Sequence, residues 1–159
     1  MTTGAGPVTR EGRGRLVQAL QSSLAMALRL LVVDGSRLMA WLVAQVVPPG
    51  VEVVHVASLA DAERILVEDP PAAAIFNVTP TLAAWRALVD RCAGHRPPIP
   101  YLCSSALDGA ETLASGLAPG DPAFLPKSLP VAELRARVGA LLARARAESA
   151  ERRPAPPAP

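Results

Sequence analysis

The chain has 159 residues, 50 % of them hydrophobic and only 3 % aromatic, with a formal net charge of +2. That length suits one domain with short extensions, whose core is built from Ala, Val and Leu. The charge is too small and too mixed in sign to argue for a nucleic-acid partner, and no apolar stretch reaches the roughly 18–20 residues of a membrane span.

Residues 1–27 read as an extension, disordered apart from a short helix on which Leu16, Leu20 and Leu24 share a face. A translational start at Met26 is the alternative. The stretch RGRLVQALQSSLAMA imitates a signal peptide, but Gln18, Gln21, Ser22 and Ser23 interrupt its apolar centre. A cytoplasmic location is therefore the expectation. From Leu28 a regular alternation begins. LRLLVVD is an apolar strand, and SRLMAWLVAQVV is a helix stopped by Pro48-Pro49-Gly50. Trp41 is expected to face the core from that helix. VEVVHV is the second strand. Ser58 caps LADAERILVE, with Asp61 as a capping-box-like partner, and Pro70-Pro71 breaks the helix.

AAAIFN is the third strand, ending at Asn77. A helix through TLAAWRALVDRC follows, with Trp85 inward, and Gly94 and Pro97-Pro98 close it. IPYLCSS is the fourth strand, LDGAETLASGL a short fourth helix and PAFLP the fifth strand. Pro130 sits in the first turn of VAELRARVGALLARARAES, where proline is tolerated. Val131, Leu134, Val138, Leu141 and Leu142 are placed inward on this fifth helix. Arg137 and Arg144 point outward, and Arg135 and Arg146 flank the apolar stripe. Residues 148–159 form a disordered Pro/Ala/Arg tail.

Five βα units in series predict an α/β domain over 28–147: a five-stranded parallel sheet wound with helices on both faces through right-handed crossovers. No second domain remains to be accommodated. Loops after the first, third, fourth and fifth strands converge on one edge of such a sheet. They bring together Asp34, Gly35, Ser36, Asn77, Ser104, Ser105 and Lys127, the last being the only lysine in the chain. Coding bias toward arginine explains why lysine is scarce but not where this one stands.

Other chemistry is thin. Cys92 and Cys103 have neither a CxxC nor a zinc spacing and read as buried free thiols in a reducing compartment. His55 and His95 read as solvated or core imidazoles. Ser104-Ser105 lacks the G-x-S-x-G elbow of a hydrolase. Gly116 to Gly120 is not a phosphate-binding loop, and no G-x-G-x-x-G opens the first helix. An enzyme is not expected.

LLVVDGSRLMAWLV resembles the opening of a response-regulator receiver domain of two-component signalling, of the chemotaxis type. YLCSSA is similar to the family's fourth strand with its Thr/Ser-Ala ending. GDPAFLPKSLPVAEL is similar to its Gly-Ala-x-x-aromatic-x-x-Lys-Pro segment, and Ser105 and Lys127 stand 22 residues apart, as in the family. The resemblance covers roughly residues 28–147. It implies a flavodoxin-like, doubly wound (βα)5 fold and a phosphorylation switch. In that switch an aspartate ending the third strand accepts a phosphoryl group, and two acidic residues after the first strand help hold Mg²⁺. A Thr/Ser and a lysine grip the phosphoryl oxygens, and an aromatic on the fifth strand changes rotamer.

The resemblance assigns the lysine to Lys127, the hydroxyl to Ser105, the switch aromatic to Phe124 and the first acidic residue to Asp34. Gly35 stands at the second acidic position and Asn77 at the acceptor. Pro80 comes at the third place after Asn77 rather than the fourth, which shortens that loop by one residue. An amide forms no stable acyl phosphate, and Mg²⁺ typically needs one or two carboxylates beside the substrate phosphates. Weak or absent Mg²⁺ binding and no other cofactor are therefore expected. Lys127 has three possible environments: the Asn77 carbonyl, Asp34, or solvent.

The expectation is a stand-alone pseudo-receiver in phosphorelay-type signal transduction. It would act by phosphorylation-independent protein–protein interaction, through a protein partner or a homodimer. The contact surface would be the face of the fourth helix, fifth strand and fifth helix, where Arg135, Arg137, Arg144 and Arg146 form an arginine-rich rim. Two alternatives stand beside it. One is a sensor that binds a small molecule or anion near Asn77 and Lys127. The other is a receiver phosphorylated at a non-standard residue such as Thr79 or Ser36.

Overall fold

The computed structural model describes residues 27–79, 84–106 and 122–151. The expected helix over 16–24, the turn at Pro80, the fourth helix over 107–117 and the tail after residue 151 lie outside the described residues. Five strands run through the described chain: β1 (Leu28–Val33), β2 (Val51–Val56), β3 (Ala73–Asn77), β4 (Tyr101–Ser105) and β5 (Phe124–Pro126). They alternate with helices α1 (Arg37–Val46), α2 (Leu59–Glu68), α3 (Ala84–Gly94) and, after β5, α4 (Val131–Glu151). Every strand pair is parallel and the order is β2-β1-β3-β4-β5. This is the five-stranded, doubly wound sheet read from the sequence.

Alternation along each strand splits the core in two. Leu30, Val32, Ala73, Ile75, Leu102 and Leu125 face α1 and α4, against Met39, Val43, Leu134, Val138, Leu141 and Leu142. Leu31, Val33, Ala74 and Phe76 face the other way, onto Ala62 and Leu66 of α2 and Leu88 and Cys92 of α3. Because helices cover both faces, the inner strands are apolar at every position rather than at alternate ones.

Local signals set the boundaries. Ser36 caps α1, its hydroxyl accepting from the Leu38 N–H at 3.2 Å. After α1 the chain turns through Gly50, whose φ of +84° suits glycine and brings in β2. Ser58 caps α2 by accepting from the Asp61 N–H at 3.1 Å, and its hydroxyl donates to the Asp61 carboxylate at 2.7 Å. Hydrogen bonds from Ser58 and Arg64, in that order, hold the Asp61 carboxyl below its ordinary range. Pro130 sits just ahead of α4, and its carbonyl accepts from the Glu133 and Leu134 N–H groups at 3.0 Å.

Four details differ from the sequence reading. Trp41 is 59 % exposed, because α1 buries Met39, Ala40, Val43 and Val46 instead. The helix is apolar on nearly every side, so its periodicity leaves the inward face open. Val131 is 52 % exposed, since α4 meets the sheet only from Leu134 onward. Arg137 is half-buried beside the apolar stripe while Arg135, Arg144 and Arg146 are exposed, so Arg137 is the flanking residue. Finally, α4 continues to Glu151, past the expected boundary at 147.

Candidate functional site

The order β2-β1-β3 makes the chain leave β1 to one side and return on the other, which opens a crevice at the C-terminal ends of β1 and β3. Asp34 ends β1 there. Its backbone N–H continues the sheet by donating to the Val56 carbonyl at 3.1 Å. Its side chain folds back over the next two residues, Oδ1 accepting from the Ser36 N–H at 2.9 Å. This is an Asx-type turn, and it presents Ser36 as the cap of α1.

The other oxygen, Oδ2, accepts from Lys127 Nζ at 2.6 Å. Asp34 is only 4 % exposed, and the Lys127 side chain 26 %. Of the three environments open to the lysine, the structure therefore selects Asp34. His55, at the end of β2, donates from Nε2 to the main-chain carbonyl of Asp34 at 2.8 Å. Imidazole, backbone amide and ammonium thus fix this acidic residue from three sides.

Asn77 closes β3 half-buried, in register with Ser104 of β4. Its side-chain amide makes no hydrogen bond among the described residues. Ser105 is buried, and its hydroxyl donates to the Val78 carbonyl at 3.4 Å while its own carbonyl accepts from the Lys127 N–H at 2.8 Å. Ser104 is fully buried, and its Oγ has no hydrogen-bond partner among the described residues. Phe124 is buried against Val78, Trp85 and Cys103. A cleft of about 240 Å³ opens at the ends of β1 and β3, with Asp34, Gly35, Asn77, Thr79 and Trp85 among its walls.

Solved structures share this architecture. The signal receiver domain of a Luxo repressor protein from Vibrio parahaemolyticus superposes with a TM-score of 0.60 at 21 % identity, over 79 % of this chain and 98 % of that one. A response regulator from Thermotoga maritima gives 0.59 at 19 % identity, over 74 % and 98 %. The chain has the receiver-domain fold. A response regulator receiver protein from Pseudoalteromonas atlantica gives 0.50 at 16 % identity, with the same coverage. No family model matches the sequence, and no curated protein matches it either.

Asp34, Gly35, Asn77, Ser105 and Lys127 stand at one edge of the sheet, with Phe124 buried nearby. They do not fit the Mg²⁺ ion that such a fold implies. One carboxylate is present, and each of its oxygens is already engaged, by Ser36 and by Lys127. Gly35 brings no ligand, and Asn77 brings a neutral one. Among the described residues no three of His, Cys, Asp and Glu gather as a metal site.

Two residues of this site escaped the sequence reading. His55 reads as a solvated or core imidazole, since one histidine at the end of an edge strand has no sequence pattern to mark it. Trp85 was placed in the core and is indeed 6 % exposed, yet it also walls the cleft. Arg86 lies over its ring, 5.5 Å from the centroid. Of the expected contact face, the fourth helix lies outside the described residues; the arginines of α4 stand along the other part. No helix among the described residues is long and apolar enough to cross a membrane.

Proposed function

We propose that this chain is a response-regulator receiver that signals without being phosphorylated, held in one conformation by its Lys127–Asp34 ion pair and acting by binding another protein. The observation that carries this reading is the double occupancy of Asp34. A phosphorylatable receiver needs its carboxylates for a metal and its lysine for the incoming phosphoryl group. Here the lysine neutralises the one carboxylate, at 2.6 Å, and the acceptor position holds an amide. Phosphoryl transfer depends on positioning and charge neutralisation around a nucleophilic oxygen, and Asn77 offers no such oxygen.

Phe124 fits the same picture. Its buried ring packs on Val78 and Trp85, and with no phosphoryl group to draw Ser105 outward nothing drives it to another rotamer. A receiver fixed in one state transmits by what its surface binds. The exposed arginines of α4, Arg135, Arg144 and Arg146, suit carboxylates on a partner or on a second copy.

Acetyl phosphate with Mg²⁺, followed by intact-protein mass spectrometry, tests the reading. The wild-type chain gains no phosphoryl group. A label on Asn77 overturns the proposal, and one on Thr79 or Ser36 moves the switch to another side chain. In the same experiment Gly35→Asp with Asn77→Asp regains the missing carboxylates. A Cβ at Gly35 meets nothing within 4 Å, so the first substitution is accommodated, and Mg²⁺-dependent labelling appears.

A further inference from the structure

We propose that the cleft between β1 and β3 binds a small uncharged molecule through a planar carboxamide-type group that pairs with the Asn77 side chain. The proposal rests on the reading that this site takes no phosphoryl group. Asp34 is satisfied on both oxygens, and Lys127 is committed to it. Among the described residues, a cation entering the cleft meets only the Asp34 carboxylate, already paired with Lys127, and an anion meets no ammonium but the one paired with Asp34. Either ion competes with a short, largely buried ion pair for a partner whose charge is already compensated, so the site disfavours both.

What the cleft does offer is polar and neutral. The Asn77 amide presents a donor and an acceptor side by side, and no described residue occupies either. A primary carboxamide or a lactam carries the same pair in reverse order, so two hydrogen bonds form in one plane. Thr79 also lines the cleft, and Val33, Leu59 and Trp85 supply apolar surface. Mostly apolar walls with a few convergent polar groups are the usual make-up of a small-molecule site. At about 240 Å³ the cleft falls just below the ~300–1,000 Å³ of drug-sized sites. It suits a single ring with one substituent.

Three probes of nearly one shape separate the possibilities: benzamide, benzoate and benzylammonium. Trp41 is exposed and Trp85 buried, so Trp41→Phe leaves Trp85 as the reporting fluorophore. Benzamide is expected to change its emission saturably, whereas benzoate and benzylammonium are not. Asn77→Leu weakens benzamide binding at least tenfold. In the wild-type chain the side-chain amide resonances of Asn77 shift as benzamide is added, a readout that needs no substitution. Saturable binding of either ion without benzamide, or benzamide binding indifferent to Asn77→Leu, overturns the proposal. If benzamide leaves both Trp85 and Asn77 unmoved while acetyl phosphate leaves no label, the ligand proposal falls and the unphosphorylated reading stands. A phosphoryl label at Asn77 overturns both.

Discussion

At the sheet's C-terminal edge, the polar groups carried by β1 and β5 are treated differently from those carried by β3 and β4, which lie between them. On the β1–β5 side, Asp34 is held by the Ser36 N–H and the Lys127 ammonium, and its carbonyl by His55. On the β3–β4 side, neither the Asn77 amide nor the buried Ser104 hydroxyl has a hydrogen-bond partner among the described residues. The two sides lie in one parallel sheet, with β1 hydrogen-bonded to β3. The first is a cross-link between the chain segments that leave β1 and β5, made by Asp34 and Lys127. The second keeps hydrogen-bonding capacity that no described residue uses, in the half-buried Asn77 amide and the fully buried Ser104 hydroxyl.

Breaking the satisfied side has the largest consequence. Lys127→Met strands a carboxylate that is 4 % exposed. Removing one partner of a fully buried pair costs about 3–5 kcal/mol, and the part-exposed lysine reduces this to roughly 2–3 kcal/mol. Urea denaturation monitored by circular dichroism measures it. Asp34→Asn added to Lys127→Met regains most of the loss, because the stranded charge is gone. A single variant as stable as wild type would mean that the ion pair does not fix the site.

A pH effect of intermediate size tests the packing beneath the β3–β4 side. Cys92 of α3 is buried against Phe76 and Ile99, and burial first, then the neighbouring Cys103, pushes its thiol up to about 12. The folded pKa is raised, so the contribution is fully present below the unfolded value and is lost as pH rises above it. Between pH 9 and 10 the unfolded thiol ionises and the folded one does not, so stability falls by on the order of 1 kcal/mol. Cys92→Val flattens that slope in urea titrations at the two pH values. Equal slopes would place Cys92 in a looser, wetter setting than its packing indicates.

Ser104→Ala is expected to work in the opposite direction. Removing a buried hydroxyl without a partner relieves part of its desolvation penalty, and the melting temperature rises by a few degrees, corresponding to about 0.5–1 kcal/mol. Destabilisation instead would show that Ser104 has a partner in solution, and the two sides would then be more alike than the structure makes them.

How far the sequence revealed this contrast depended on what each feature rests upon. Strand limits were legible wherever an apolar run met a polar residue, as at Val33–Asp34 and Phe76–Asn77. The convergence of Asp34, Asn77, Ser105 and Lys127 followed from strand order alone, because a parallel sheet collects such ends on one edge. Which partner Lys127 takes was not legible. The choice turns on a contact across 93 residues, and Asp34 and Asn77 both lie at strand ends within the same cluster. Trp41 was misplaced because α1 carries Leu38, Met39, Trp41, Leu42 and Val43 in close succession, and two apolar stripes compete. The unpartnered state of Ser104 is a property of the packed sheet and leaves no trace in composition or spacing.

The smallest expected effect is the most discriminating for function. Asn77→Ala removes an amide that no described residue uses, at a half-buried strand end. With no hydrogen bond to lose, the change in unfolding free energy stays within about 0.5 kcal/mol, the ordinary range for a substitution away from packed or networked groups. A larger loss would mean that Asn77 belongs to the Asp34–Lys127 cross-link, and the two sides would be one network. Near-neutrality in stability, together with loss of benzamide binding in the same variant, separates an amide kept for recognition from one kept for structure.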